Sequence, residues 1–139
     1  MRVLVIEDDP MIGRAVVAGL QDAGYTVDWV RDGAEAELAL GHHLYDLALL
    51  DLGLPQIDGL DVCRRLRSDH TRSYIPIVMV TALGNTEQLV QGLDAWADDY
   101  ITKPFSSREL MARVQASLRI RRMGVNRHGR LVYDAGVWV

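Results

Sequence analysis

"RVLVIEDDPMIGRAVVAGLQDAG", residues 2–24, changes its hydrophobic period halfway along. Residues 2–7 form a continuous apolar run that ends on an acid, the pattern of a buried strand. Beyond Asp8, Asp9 and Pro10, residues Ile12, Val16, Gly19, Leu20 and Ala23 recur at helical spacing, and Gly24 stands where a helix stop is expected. One strand followed by one amphipathic helix is half of a repeating unit, and the rest of the chain repeats it.

"YTVDWV" (25–30) alternates like a half-exposed strand, and "DGAEAELALGH" (32–42) reads as a second helix capped by Asp32. "DLALLD" (46–51) is another buried strand, followed by an amphipathic helix in "DGLDVCRRLRSD" (58–69). "IPIVMVTA" (75–82) supplies a fourth strand and "TEQLVQGLDAW" (86–96) a fourth helix. "DYITKPF" (99–105) contains a short fifth strand, and "SSRELMARVQASLRIRR" (106–122) a fifth helix opened by a Ser106-x-x-Glu109 capping box. Strands alternating with helices imply right-handed crossovers and a parallel sheet covered on both faces. Such sheets bind ligands outside the carboxyl ends of their strands.

Composition excludes several classes. The 139 residues (15.5 kDa) amount to one domain, with 49% hydrophobic and 24% charged residues as in ordinary globular proteins. A formal charge of −4 gives no overall pull toward nucleic acid or anionic lipid. A lone cysteine, Cys63, excludes an internal disulfide and a cysteine-based zinc cluster; it reads as a small buried residue, with a reactive thiol as the alternative. No stretch approaches the roughly 20 apolar residues of a membrane span. The apolar start turns acidic too soon for a signal peptide. The expectation is a cytoplasmic protein that does not engage membranes.

Polar residues fall where the predicted strands end: Glu7 and Asp8, Asp51, Thr81, and Lys103. A parallel sheet gathers these ends on one edge. Three carboxylates meeting there repel one another unless a cation joins them, and Mg²⁺ suits a site of one or two carboxylates, waters and phosphate oxygens. Each piece has a plainer reading taken singly: a loop acid, a cap before Pro55 for Asp51, a strand-end hydroxyl bonded to backbone for Thr81. Lys103 is the only lysine beside fourteen arginines, and Pro104 follows it. A compact ammonium on a flexible stem can reach one carboxylate or phosphoryl oxygen where a planar guanidinium would prefer a forked contact.

"VLVIEDDP" (3–10), "DLALLDLGLPQIDGLDV" (46–62), "IPIVMVTA" and "GLDAWADDYITKPFSSREL" (92–110) together resemble the receiver domain of two-component response regulators of the OmpR/PhoB type. The resemblance covers residues 2 to about 121. It implies a flavodoxin-like (βα)5 doubly wound fold of strand order 2-1-3-4-5, over a receiver domain at 1–121. It also implies Asp51 as acceptor of a phosphoryl group from a sensor histidine kinase. Mg²⁺ would be held by Glu7, Asp8, Asp51 and the Gly53 backbone carbonyl, with Thr81 and Lys103 contacting the phosphoryl group. Thr81 and Tyr100 would form the switch, read out on the face made by the fourth helix, fifth strand and fifth helix. The family usually has a cis bond between the lysine and proline. The chain would not be an enzyme beyond catalysing its own phosphorylation and dephosphorylation.

The resemblance further implies a homodimer on phosphorylation, with Asp98, Asp99, Glu109 and Arg113 on the dimer face; solvated helix faces are the plainer reading of these charges. Leu89 and Gln115 stand where a basic residue is often found, and Trp96 where the family usually has glycine. Residues 53 and 83 resemble positions that tune the phosphate lifetime. Arg119, Arg121 and Arg122 suit a helix C-terminus on dipole grounds. Residues 122–139 carry glycines at 124, 129 and 136 and short alternating runs. They resemble a linker and the start of a truncated winged-helix effector domain, through which alone DNA would be bound and transcription controlled. A stand-alone receiver serving a phosphorelay or binding a protein partner is the alternative. A dehalogenase-type phosphohydrolase would want aspartate at position 53, where this chain has glycine.

Overall fold

The computed structural model describes residues 1–54, 59–69, 75–82, 90, 97–122, 133–134 and 137–138. In chain order these form β1 (Arg2–Ile6), α1 (Pro10–Asp22), β2 (Thr26–Val30), α2 (Gly33–His42), β3 (Leu47–Asp51), α3 (Gly59–Ser68), β4 (Ile77–Ala82), β5 (Asp99–Lys103) and a last helix, Ser107–Arg122. Two short strands follow, β6 (Tyr133–Asp134) and β7 (Val137–Trp138), paired antiparallel. The expected fourth helix, with Leu89 and Trp96, lies outside the described residues except for Val90, as does most of the tail.

The five long strands form one sheet of order β2-β1-β3-β4-β5, every pair parallel. This is the expected doubly wound order. Side chains alternate across a strand, so successive residues serve opposite faces. Leu4, Ile6, Ala48, Leu50, Ile77 and Met79 face α2 and α3 and pack with Leu40, Cys63 and Leu66. Val3, Val5, Leu47, Leu49, Val78 and Val80 face α1 and the last helix and pack with Val16, Leu20, Leu110 and Val114. β3 lies mid-sheet with all five residues buried. Burying each Val, Leu or Ile contributes about 1.5–3 kcal/mol, and two such faces hold the layers together.

Local chemistry sets the helix ends. The Asp9 carboxylate accepts from the N–H groups of Met11 (2.8 Å) and Ile12 (3.2 Å), with Pro10 in the first turn. The sequence reading assigned no cap here, although Asp-Pro before an amphipathic run is a recognisable start signal. α1 closes before Gly24, whose φ is 95°. Asp32 caps α2 through the Glu35 N–H at 2.8 Å. Ser106 Oγ accepts from the Glu109 N–H at 3.1 Å, the first half of the expected capping box. No helix among the described residues is long and apolar enough to cross a membrane.

Candidate functional site at the carboxyl edge of the sheet

The sheet carries its polar residues where its strands stop. Glu7 lies one residue past β1, Asp51 closes β3, Thr81 lies near the end of β4 and Lys103 ends β5. Carboxylate oxygens of Glu7, Asp8 and Asp51 all lie within 4.8 Å of one another. Lys103 Nζ stands 3.0 Å from Glu7 Oε1 and 3.4 Å from Asp51 Oδ2. The Gly53 N–H donates to Asp51 Oδ1 at 3.0 Å, and the Lys103–Pro104 peptide is cis. Residues nearly a chain length apart therefore share one ionic cluster.

Its electrostatics follow from burial. Glu7 and Asp51 are almost fully buried, and two acids in such a place do not both ionise freely. Burial, then the hydrogen bond and charge of Asp51, push the Glu7 carboxyl up to about 8. Burial acts upward on Asp51 too, but hydrogen bonds with Glu7 and the Gly53 N–H and the Lys103 charge outweigh it, holding Asp51 below the usual carboxylate range. Burial would lower the Lys103 ammonium; its bond to Glu7 and the charge of Asp51 raise it instead. Asp51 is the acid that stays ionised.

Thr81 departs from its plainer reading. Its hydroxyl is buried and has no hydrogen-bond partner among the described residues, so it is not a strand-end group satisfied by backbone. A buried unsatisfied hydroxyl costs about 1–3 kcal/mol. An oxygen-only set of three acids, beside a lysine and an unused hydroxyl, suits a hard divalent cation together with an anionic oxygen ligand. Adjoining the site, an apolar cleft of about 480 Å³ runs between α1 and the last helix, lined by Ile12, Val16, Lys103, Phe105, Leu110 and Met111.

The loop bearing the acids is tied to β2, which the sequence reading passed over. Trp29 Nε1 donates to the Glu7 carbonyl at 2.9 Å, Val30 O accepts from the Glu7 N–H at 3.0 Å, and Arg31 Nη2 donates to the Asp8 carbonyl at 3.1 Å.

The expected switch and dimer residues divide. Tyr100 is half-buried on β5, with the Arg113 guanidinium 5.8 Å from its ring centre. Arg113 Nη1 bonds Asp99 Oδ1 at 3.0 Å, and Glu109 Oε1 lies 3.6 Å from Arg113 Nε. These three charged residues form one group on β5 and the last helix. Asp98 does not join them: buried, it accepts from Arg67 at 2.5 Å and from the Ile77 N–H at 2.9 Å. Alternation explains the difference, because adjacent residues face opposite sides of the sheet. Cys63 is fully buried, and burial pushes its thiol up to about 11, so it is inert core.

A doubly wound parallel sheet with an acid cluster, a lysine and a hydroxyl on its carboxyl edge defines a class: small α/β modules that take a charged ligand at that edge. Within that class the chain belongs to the response regulator receiver domain family, whose pattern matches residues 3–115. It is 47% identical over 118 residues to the DNA-binding dual master transcriptional regulator RpaA of a Synechocystis strain, covering 85% of this chain and 49% of that protein. It is 48% identical over 119 residues to the response regulator protein PmrA of Pseudomonas aeruginosa, covering 86% of this chain and 53% of that protein. The chain thus spans about half the length of these relatives. Among solved structures, the receiver domain of the sensor histidine kinase PA1611 of P. aeruginosa, with a magnesium ion coordinated in its active site cleft, matches at a TM-score of 0.79. That match has 31% identity and covers 85% of this chain and 97% of that one. The receiver domain of the Francisella response regulator 1452 matches at 0.78 and 33%, covering 87% and 98%.

Proposed function

We propose that the chain is a phosphorylation-dependent switch in which Asp51 accepts a phosphoryl group from a sensor histidine kinase. One Asp51 oxygen forms a bond to the phosphorus of the donor's phosphohistidine. The P–N bond breaks, and its electron pair stays on the imidazole, which takes up a proton. Asp51 suits the role because it remains ionised within the cluster. Lys103, 3.4 Å from Asp51, faces the incoming phosphoryl oxygens with a fixed positive charge. Thr81 donates its unused hydroxyl to one of those oxygens. Glu7, Asp8, Asp51 and the Gly53 backbone carbonyl would hold Mg²⁺, which would supply positive charge against the phosphoryl oxygens. Hydrolysis reverses the modification: water attacks phosphorus, the Asp51 carboxylate leaves, and inorganic phosphate is released. The chain catalyses its own modification and turns over no other substrate.

The observation that carries this reading is Asp51 engaged by Lys103 on the edge where β4 presents the buried Thr81 hydroxyl, which has no partner among the described residues. A group with several anionic oxygens satisfies all three. The test is intact mass after incubation with Mg²⁺ and acetyl phosphate or phosphoramidate. One added phosphoryl group is expected, absent from Asp51→Asn; no adduct on the folded wild-type chain would overturn the reading.

The acyl phosphate biases a two-state equilibrium of the domain. Thr81 swings to the phosphoryl group, Tyr100 follows inward, and the face that carries β5 and the last helix pairs with a second copy. Asp99, Glu109 and Arg113 now bond within the chain and re-pair across the two-fold axis. Sizing with and without beryllofluoride tests this: a dimer with the analogue is expected, and identical profiles would remove the claim. Residues 1–121 form the receiver and 122–139 a linker into an effector domain. The output is transcription through DNA bound by that domain, in the cytoplasm, as the longer transcriptional regulators that match this chain suggest.

A further inference from the structure

We infer that Trp29 is a positioning residue for the metal-binding acids, a strut that fixes the Glu7–Asp8 backbone from the neighbouring strand. The inference rests on the proposed reading of those acids as Mg²⁺ ligands. Their side chains repel one another, so their aim depends on how firmly the backbone beneath them is held. β1 stops at Ile6, so Glu7 and Asp8 lie beyond the strand that would have anchored them.

Three consecutive residues, the last two of β2 and the one after it, take over that anchoring. Val30 supplies a backbone acceptor to the Glu7 N–H; Trp29 and Arg31 supply side-chain donors to the carbonyls of Glu7 and Asp8. An indole N–H only donates, and here its acceptor is the main chain of a predicted ligand. The indole itself has little room to shift. A Cβ on Gly13 would stand 2.2 Å from Trp29 Cζ2, so the first turns of α1 close onto the ring only because residue 13 is glycine. Just past β2, the Arg31 guanidinium lies 5.6 Å from the Trp29 ring centre. The strut is clamped by its neighbours and bears on the acids. Arg31 also brings a positive charge that opposes a cation, so its removal would mix two effects of opposite sign. Trp29 isolates the mechanical one.

Replacing the ligand-orienting partner of a metal site typically weakens metal binding about 10- to 100-fold. Trp29→Phe keeps a ring and loses the donor. Calorimetric titration should give a Mg²⁺ dissociation constant raised about tenfold. Labelling by acetyl phosphate at saturating Mg²⁺ should stay unchanged, the split expected when orientation alone is lost. A second variant carries benzothienylalanine at position 29, which preserves the indole shape and lacks only the N–H. It should show the same loss with the same melting temperature in chelator, and it decides the matter if Trp29→Phe does not fold. Wild-type Mg²⁺ affinity in both variants, or in the isostere when it alone folds, overturns the strut while leaving the ligand assignment intact. Failure of the wild-type chain itself to bind Mg²⁺ overturns both.

Discussion

Thr81 shows how far one side chain's hydrogen-bonding state can separate stability from function. Its hydroxyl is buried without a partner among the described residues, and such a group costs about 1–3 kcal/mol. Thr81→Val keeps the shape and removes the polar atom. The expected outcome in urea is a gain of about 1 kcal/mol in stability, together with loss of the beryllofluoride-induced change in size. A loss of stability would mean that the hydroxyl is satisfied after all. The residue types at the site were legible in the sequence because each stands at the end of an apolar run. Whether the threonine hydroxyl was satisfied was not legible, since that depends on what surrounds it in three dimensions. Trp29 was missed for a similar reason: nothing local marks an aromatic in a half-exposed strand as a donor to the next strand's loop.

At the scale of elements, the Arg67–Asp98 pair joins α3 to the start of β4 and the approach to β5. Arg67 donates to Asp98 and, at 2.6 Å, to the Ile75 carbonyl, while Asp98 accepts from the Ile77 N–H. Both side chains are nearly buried, at 11% and 7% exposure, so removing one strands the other's charge in the interior. Arg67→Met should therefore cost about 3–5 kcal/mol by urea denaturation. A cost below about 1 kcal/mol would show that Asp98 is reached by water. The family resemblance placed Asp98 with Asp99 on the dimer face, where related regulators carry acids near the fifth strand. Strand alternation separates them, and the start of β5 decided which acid faces which helix. The described helices and strands of the sheet domain were legible to within about two residues, because caps and periods are local signals.

The whole molecule responds to pH through Asp28 on the edge strand β2 as well as through its site. Burial acts upward on the Asp28 carboxyl, but bonds from Tyr45 Oη (2.7 Å) and Arg2 Nε (3.0 Å) outweigh it and hold the group below its ordinary value. A lowered folded value means that the unfolded chain takes up this proton first as pH falls. The contribution is present above an unfolded value of about 3.9 and is lost as pH falls through the lower folded one. Tyr45 is raised by burial and by Asp28, so its contribution is present below about 10 and fades as pH rises through the folded value. Asp28→Asn should be less stable than wild type at pH 7 by thermal melting, with the gap closing below about pH 3. A gap independent of pH would place the effect in packing. The strand order came from family resemblance, because alternation alone fixes a parallel sheet without saying which strand lies at its edge.

The ionic cluster joins the first strand to the fifth, with acids just past β1 and a lysine at the end of β5. No shorter portion of the sheet holds a complete set. If the polypeptide were divided between α3 and β4, the first piece would keep every acid and the second the ammonium that balances them. The halves would then be electrostatic complements as well as structural ones. Metal affinity and acetyl-phosphate reactivity recovered on mixing would measure reassembly directly, making the centre a built-in reporter for split-protein complementation.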